Sequence, residues 1–238
     1  MNNILGIVGG LGSETCCEFC ISVNNKIREL INTQPHIILD NLPISLEAEE
    51  KLVNGGSSQE HLDLLNESIE RLNKLDVSVI AIPCNTVHIF IDELRKNSRV
   101  PILSIIEETA RECKKLNLKR LGLLASTKTV ETGLHSNQLK NFGIDVVTPN
   151  SEDQKFISEC ILKIIKNTTS DNDKDRIVKI IKTFNGIDGI ILGCTDLPRF
   201  LSNLNLNIPI INTTAVLENA TIKEITRWIN GSTPKKKT

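Results

Sequence analysis

The two halves of this 238-residue sequence carry the same succession of segments, and this internal repeat constrains the fold most. In the first half, an amphipathic helical segment is followed by the apolar run 77–82 and then by Cys84, Asn85 and Thr86. In the second half, a helical stripe is followed by the apolar run 189–192 and then by Cys194 and Thr195. Short continuous apolar runs are typical of strands that are buried on both faces of a parallel sheet. The repeat therefore predicts two similar lobes.

Alternation of strand and helix patterns along the whole chain defines the class of each lobe. Runs rich in β-branched residues alternate with segments of helical periodicity, which implies an α/β fold with parallel sheets and right-handed crossovers. Residues 57–60 (Ser-Ser-Gln-Glu) predict a capping box at the start of a helix. We predict a first lobe at residues 1–100 and a second at 101–212. A last helix within 213–229 is predicted to return to the first lobe, and 230–238 to form a flexible tail.

Composition excludes several classes of partner. The 28 basic and 29 acidic residues nearly cancel and aromatic residues make up 3% of the chain, which argues against nucleic-acid binding. The one basic cluster, Lys235 to Lys237, falls in the predicted tail and is interpreted as solvated. No apolar run is long enough to span a bilayer, and no secretory signal precedes the first strand. We therefore expect a cytoplasmic protein without a membrane partner, whose seven cysteines are reduced thiols.

The cysteines fall into two groups. Five lie on or beside apolar helical stripes and are predicted to pack as small buried side chains: Cys16, Cys17, Cys20, Cys113 and Cys160. The Cys17–Cys20 spacing lacks a second pair, so no metal site is predicted. Cys84 and Cys194 instead follow buried strands, where parallel α/β sheets place their ligand sites. Helices starting there would direct backbone amides at both thiols and lower their pKa values.

At these residues the sequence resembles the aspartate/glutamate racemase family, the pyridoxal-independent amino-acid racemases. The matching segments are 6–12 (Gly-Ile-Val-Gly-Gly-Leu-Gly), 83–88 (Pro-Cys-Asn-Thr-Val-His), 123–134 (Leu-Leu-Ala-Ser-Thr-Lys-Thr-Val-Glu-Thr-Gly-Leu) and 192–198 (Leu-Gly-Cys-Thr-Asp-Leu-Pro). They occur in the family's order and extend over nearly the whole chain. The two cysteine motifs together are specific, whereas the glycine motif alone is weak.

The resemblance implies two pseudo-symmetric lobes with the active site in the cleft between them, a homodimer, an amino-acid substrate and no cofactor. Cys84 and Cys194 match the family's catalytic cysteines, which serve as an acid and base pair. Two thiols suit this reaction, because inversion of a stereocentre needs a base on one face and an acid on the other, with roles that can be exchanged. The residues expected to bind substrate are Gly10, Leu11, Asn85, Thr86, Ser126, Thr129, Lys166 and Thr195.

Departures from the family pattern leave the substrate open. Ser13 and Glu14 replace the usual proline start of the first helix, and Glu47 stands near the position of the arginine of aspartate-specific members. Without that bidentate clamp, glutamate, another amino acid or a different α-substituted acid remains possible, with Lys51 as a compensating cation. Residues 47–58 are predicted to form a lid that excludes water.

Other interpretations stay open at this point. The glycine turn at 9–12 with Asp40 suggests a dinucleotide site, but Thr15 replaces the third glycine of that fingerprint. A hydantoin racemase, a maleate isomerase, a non-catalytic amino-acid-binding protein and a thiol redox protein are further alternatives. His88, His135 and Asp196 fit either a structural role or a role in tuning the site.

Overall fold

Two four-stranded parallel sheets form the framework of the chain in a computed structural model that describes residues 3–202 and 206–229. The strand order is β2-β1-β3-β4 in the first sheet and β6-β5-β7-β8 in the second. The strands are β1 (Ile4–Gly9), β2 (His36–Asn41), β3 (Val79–Ala81), β4 (Ile102–Leu103), β5 (Arg120–Leu124), β6 (Asp145–Val147), β7 (Gly189–Leu192) and β8 (Ile210–Asn212). The order is the same in both sheets, and every neighbouring pair is parallel. The predicted α/β class with two pseudo-symmetric lobes is confirmed.

Helices cover the faces of both sheets. They are α1 (Ser13–Ile31), α2 (Leu46–Val53), α3 (Gln59–Lys74), a 3₁₀ helix (Thr86–Phe90), α4 (Ile91–Asn97), α5 (Ile105–Lys115), α6 (Thr127–Glu131), α7 (Leu134–Lys140), α8 (Ser151–Ile165), α9 (Asp171–Thr183), α10 (Leu197–Phe200) and α11 (Thr213–Ile229). Among the described residues, no helix combines the length and the apolar character needed to cross a membrane. The predicted tail at 230–238, with its lysine cluster, lies outside the described residues.

The carboxylate of Glu60, at the start of α3, binds the residue that caps α2. Ser58, the N-cap of α3, accepts a hydrogen bond from the His61 amide at 3.4 Å. Glu60 does not close the predicted capping box. Its carboxylate instead accepts from the Ser45 amide at 2.7 Å and from the Ser45 hydroxyl at 2.9 Å. Ser45 in turn caps α2, so the predicted lid region is largely a helix whose start is fixed to α3.

The last helix and α5 lie where the two lobes meet. Helix α11 packs against both α1 and α5. Within α5, Ile105 and Ile106 belong to the apolar cluster around β1 and α1, whereas Ala110 and Cys113 belong to the cluster around β5 and β7. Strand β4 falls just past residue 100, so the first sheet ends a few residues beyond the predicted lobe boundary.

Candidate active site

Cys84 and Cys194 occupy equivalent places in the two sheets. Strands β3 and β7 are each third in their sheet order, and each leads within three residues to its cysteine. Both cysteines are half-buried and line one cleft, which side chains of both lobes enclose. The polar groups of this cleft are Glu49, His61, Asn85, Thr86, Ser126, Thr195 and Asp196, and its apolar walls are Leu11, Leu52, Val53, Val87, Ile161 and Ile165.

The surroundings of the two sulfurs obey the same pattern. Burial raises the pKa of the Cys84 thiol to about 12, while hydrogen bonds from the amides of Val87 and Thr86 act to lower it. Burial also raises the pKa of the Cys194 thiol well above its usual value, although the amides of Asp196 and Leu197 act to lower it. The amides predicted from the sequence are present, but the prediction of lowered pKa values is wrong because burial of the sulfur outweighs them.

Asp196 connects the second cysteine to the first lobe. The Cys194 thiol donates to Asp196 Oδ2 at 3.8 Å, and Thr15 Oγ1 donates to Asp196 Oδ1 at 2.5 Å. The carboxyl lies against Gly12, whose φ of 86° opens the N-terminus of α1. Helix N-termini favour negative charge, yet burial raises the pKa of Asp196. Of the two roles left open for Asp196, the structure favours contact with the site.

Three hydroxyl groups form a closed triangle across the two lobes. Thr86 Oγ1 lies 2.9 Å from Ser126 Oγ, which lies 2.9 Å from Thr129 Oγ1, and the Thr129 hydroxyl donates to Thr86 at 3.1 Å. Thr86 and Ser126 line the cleft, whereas Thr129 is fully buried behind them. The triangle fixes the direction in which the two cleft hydroxyls point.

The side chain of Asn85 is committed to a buried chain of hydrogen bonds. Burial lowers the pKa of His135 to about 3, so its ring is neutral and its Nε2 donates to Asn85 Oδ1 at 3.0 Å. Asn85 Nδ2 donates to Thr213 Oγ1 at 3.0 Å, and that hydroxyl donates to the Leu192 carbonyl at 2.9 Å. Asn85 lines the cleft, but both the oxygen and the nitrogen of its side-chain amide are already hydrogen-bonded to buried residues.

His88 has a supporting role of the same kind. Its Nε2 accepts a hydrogen bond from the Ile105 amide at 3.2 Å, so the proton lies on Nδ1, which donates to the Cys84 carbonyl at 2.7 Å. Burial lowers the pKa of His88 to about 4, which keeps the ring neutral. His88 therefore holds the backbone of Cys84 against the start of α5, and both histidines have structural partners.

Three of the predicted binding residues lie outside the lining of the cleft. They are Gly10, Thr129 and Lys166, whereas Leu11, Asn85, Thr86, Ser126 and Thr195 line it. Lys166 is exposed and forms an ion pair with Glu50. Gly10 has a φ of 81°, and a Cβ there would lie 2.2 Å from the Leu42 carbonyl oxygen, so this glycine permits a close backbone approach.

The acidic residue that α2 contributes to the cleft is Glu49, which the sequence analysis missed. Glu47 and Lys51, the two residues considered there, are exposed on α2. Glu49 precedes the cleft residues Leu52 and Val53 by three and four positions. This is the spacing of one helix face, so helical periodicity was the signal that could have identified it.

The remaining cysteines behave mostly as predicted. Cys16, Cys113 and Cys160 are buried and Cys20 is half-buried, but Cys17 is exposed, so its prediction as a packed side chain is wrong. The reason is that its position on α1 faces away from the sheet. Within the described ranges, no group of three or more His, Cys, Asp or Glu side chains could hold a metal ion.

Two parallel α/β lobes with the same strand order, which each contribute a cysteine near a strand end to a common cleft, form a fold that is shared with solved proteins of the aspartate/glutamate racemase type. A sequence model of the Asp/Glu/hydantoin racemase family matches residues 8–221, and the chain belongs to this family. Amino-acid racemases are isomerases, and the family places the chain in that enzyme class.

Individual relatives agree with this assignment. The chain is 25% identical to the broad specificity amino-acid racemase RacX of Bacillus subtilis, over 92% of this chain and 96% of that protein. It superposes on the aspartate racemase of Picrophilus torridus with a TM-score of 0.79 at 25% identity, over 99% of this chain and 96% of that one. Glutamate racemase of Francisella tularensis, solved with D-glutamate, shares the fold with a TM-score of 0.68 at 15% identity, over 99% of this chain and 85% of that one.

Proposed function

We propose that the protein is a cofactor-independent amino-acid racemase in which Cys84 and Cys194 are the acid and base. The observation that carries the proposal is that the two cysteines follow equivalent strands, receive equivalent amide hydrogen bonds and line one cleft. An amino acid bound between them would present one face of its α-carbon to each sulfur. This arrangement supports proton removal on one face and proton delivery on the other.

In the proposed reaction, a thiolate on one face accepts the α-proton and becomes a thiol. The electron pair of the broken C–H bond moves into the substrate carboxylate, which becomes an enediolate. The thiol on the opposite face then donates its proton to the α-carbon and becomes a thiolate, so that the configuration is inverted and no proton is gained or lost. The hydroxyl groups of Thr86, Ser126 and Thr195 line the cleft and are available to stabilise the carboxylate charge.

The raised pKa values of the two thiols are compatible with this reaction. A thiolate that is formed against a high pKa is a strong base toward the weakly acidic α-proton. The α-ammonium group of a bound amino acid brings a positive charge into the cleft, and an opposite charge nearby lowers a thiol pKa. Binding of substrate would therefore generate the thiolate where it is used.

The test is racemisation in heavy water with single serine variants. Wild-type protein should place solvent deuterium on the α-carbon of the inverted product without added cofactor. Cys84→Ser and Cys194→Ser should each lower the rate of inversion by at least about a hundredfold, because one face loses its acid or base. Cys17→Ser, which changes an exposed cysteine outside the cleft, is the matched control and should retain activity.

Inversion that persists in both Cys84→Ser and Cys194→Ser would contradict the two-base assignment. Tight amino-acid binding without any α-proton exchange in the wild-type protein would instead favour a binding protein.

We also propose a homodimer in the cytoplasm. The family resemblance supports the dimer, and the seven free thiols are what a reducing compartment maintains. Light scattering should then give twice the 26.4 kDa of the chain. A monomeric mass at micromolar concentration would exclude the dimer.

A further inference from the structure

Glu49 brings an unpaired carboxyl group to the wall of the cleft. It lies on α2, one helical turn beyond the N-cap Ser45, and its side chain is half-buried. Among the described residues, its carboxyl accepts no hydrogen bond and forms no ion pair. Burial raises the pKa of Glu49 to about 7, with smaller contributions from Asp196 and Glu50. A carboxyl group in this state gains most from a ligand that supplies a positive charge.

The charges around the cleft all have one sign. Its ionisable lining residues, apart from the two thiols, are Glu49, Asp196 and His61, and the described residues contribute neither a lysine nor an arginine to its walls. The His61 ring is held neutral at physiological pH, because burial lowers its pKa. A substrate whose side chain ended in a carboxylate would therefore lie beside buried acids without a counter-ion, which is costly.

The nearby cation does not compensate for this. Lys166 forms its ion pair with Glu50, the neighbour of Glu49 on α2, and it does not line the cleft. This ion pair balances the charge of Glu50 at the edge of the site. Among the residues that the structure describes, Glu49 remains the acidic residue of α2 that lines the cleft without a cation beside it. The carboxyl group of Glu49 is therefore available to bind a cation that enters the cleft.

The walls beside Glu49 are aliphatic. Leu52 and Val53 follow it on the same face of α2, and Ile161 and Ile165 contribute from α8. Aliphatic walls with one acidic group suit a chain of methylene groups that ends in an amine, because the stem is covered while the charged end meets a carboxylate. An acidic side chain would gain only the aliphatic contact.

We propose that Glu49 makes the site specific for amino acids whose side chain is a methylene chain ending in an amine, and that acidic amino acids are poor substrates. The inference rests on the proposed racemase function and adds the substrate class. In this arrangement the two thiols act at the α-carbon, the hydroxyl groups hold the α-carboxylate, and Glu49 receives the distal ammonium.

The experiment measures kcat and KM for L-lysine, L-ornithine, L-norleucine and L-glutamate. Norleucine has an aliphatic chain without the amine, and so isolates the contribution of the charge. Wild-type protein should prefer lysine or ornithine to norleucine by at least about tenfold in kcat/KM, with glutamate below norleucine. Glu49→Gln should remove most of that preference through KM and leave kcat/KM for norleucine within about twofold.

Glu47→Gln is the matched control, since it removes an exposed carboxylate from the same helix and should leave all four values unchanged. A wild-type preference for glutamate would overturn the inference. An equal loss of kcat/KM for lysine and norleucine in Glu49→Gln would also overturn it, because that result would mean that Glu49 binds the α-ammonium group. A different result would contradict the proposed function itself: none of the four amino acids would exchange its α-proton in any variant. The specificity inference would then fail as well.

Discussion

At the scale of single residues, the two cysteines differ in the charge of a nearby side chain. The residue two positions after Cys84 is Thr86, a neutral hydroxyl, whereas the residue two positions after Cys194 is Asp196. Asp196 accepts a hydrogen bond from the Cys194 thiol, and its charge further raises the pKa of Cys194. Its contribution to the pKa of Cys84 is the smallest of those acting there. The pseudo-symmetric pair is therefore unequal in charge, and Cys84 is the easier thiol to ionise.

Replacement of Asp196 by asparagine should reduce this inequality. The amide keeps an oxygen near Cys194 but removes the negative charge, so the pKa of Cys194 should fall and its thiolate fraction at a fixed pH should rise by about tenfold. The measurement is the rate of iodoacetamide alkylation at pH 8, resolved by peptide mass for each cysteine. Alkylation of Cys84 should change much less. An unchanged Cys194 rate, or a larger change at Cys84, would show that Asp196 does not control the second thiol.

The acidic residues of α2 show why the sequence alone did not identify which glutamate of this helix lines the cleft. The absence of the family arginine was readable from the sequence, and it left the substrate open. Which acid of α2 faces the cleft depends on the rotation of the helix, where a shift of two residues turns a side chain by about 200°. Glu47 thus faces solvent while Glu49 faces the cleft. That rotation buries Leu52 in the apolar cluster of the first lobe and Val53 in that of the second.

At the scale of secondary-structure elements, the turn from β1 into α1 depends on Gly10. Its φ of 81° is left-handed, and a Cβ would meet the Leu42 backbone at 2.2 Å from the oxygen and 2.6 Å from the nitrogen. Gly186 also has a left-handed φ, of 65°, but a Cβ there would meet no atom within 4 Å. The two glycines therefore separate the cost of a left-handed conformation from the cost of a backbone collision.

Alanine at each position should give different losses in the free energy of unfolding. Gly186→Ala should cost about 1 kcal/mol, the price of a left-handed L-residue. Gly10→Ala should cost at least about 3 kcal/mol, because β1 or the chain at Leu42 must also shift. Urea titration followed by circular dichroism measures both values. Equal losses would mean that the chain at Leu42 moves away freely and that Gly10 is needed only for its φ.

The elements that the sequence predicts best are those buried on both faces. β3 and β7 lie within the predicted apolar runs 77–82 and 189–192. These strands are predictable because nearly every side chain there is apolar and buried, which makes the pattern unambiguous. The two-residue strand β4 and the helix α2 carry weaker local patterns. β4 exists only because the neighbouring strand β3 supplies its hydrogen bonds. Such elements depend on tertiary partners that are distant in sequence.

At the scale of the whole molecule, the lobes are joined by buried polar contacts between residues far apart in the chain. Thr15 with Asp196, and Asn85 with His135 and Thr213, have no local sequence signal, since the partners are separated by 181, 50 and 128 positions. The internal repeat predicted two lobes, and the family resemblance implied a site in the cleft between them. It could not predict which polar side chains close the space between them, because that depends on how the lobes dock.

Thr213 is the residue at which this docking can be tested. Its hydroxyl accepts from Asn85 and donates to the Leu192 carbonyl, so Thr213→Val leaves a buried amide donor without its partner. Thr221 lies on the same helix and is equally buried, but its hydroxyl donates to the Leu217 carbonyl one turn back. Thr221→Val therefore removes a similar hydroxyl without leaving the Asn85 amide unpaired. We expect losses in the free energy of unfolding of about 2 kcal/mol for Thr213→Val and about 0.5 kcal/mol for Thr221→Val.

The single tryptophan makes the measurement selective. Trp228 is buried in the cluster around β1 and α1, so its fluorescence reports the first lobe, while circular dichroism reports both. If the buried chain through Asn85 couples the lobes, both signals should follow one urea transition in the wild-type protein and shift together in Thr213→Val. A fluorescence midpoint that stays in place while the dichroism curve broadens would mean that the lobes unfold independently, because the hydrogen bonds at Thr213 would then carry no coupling between them.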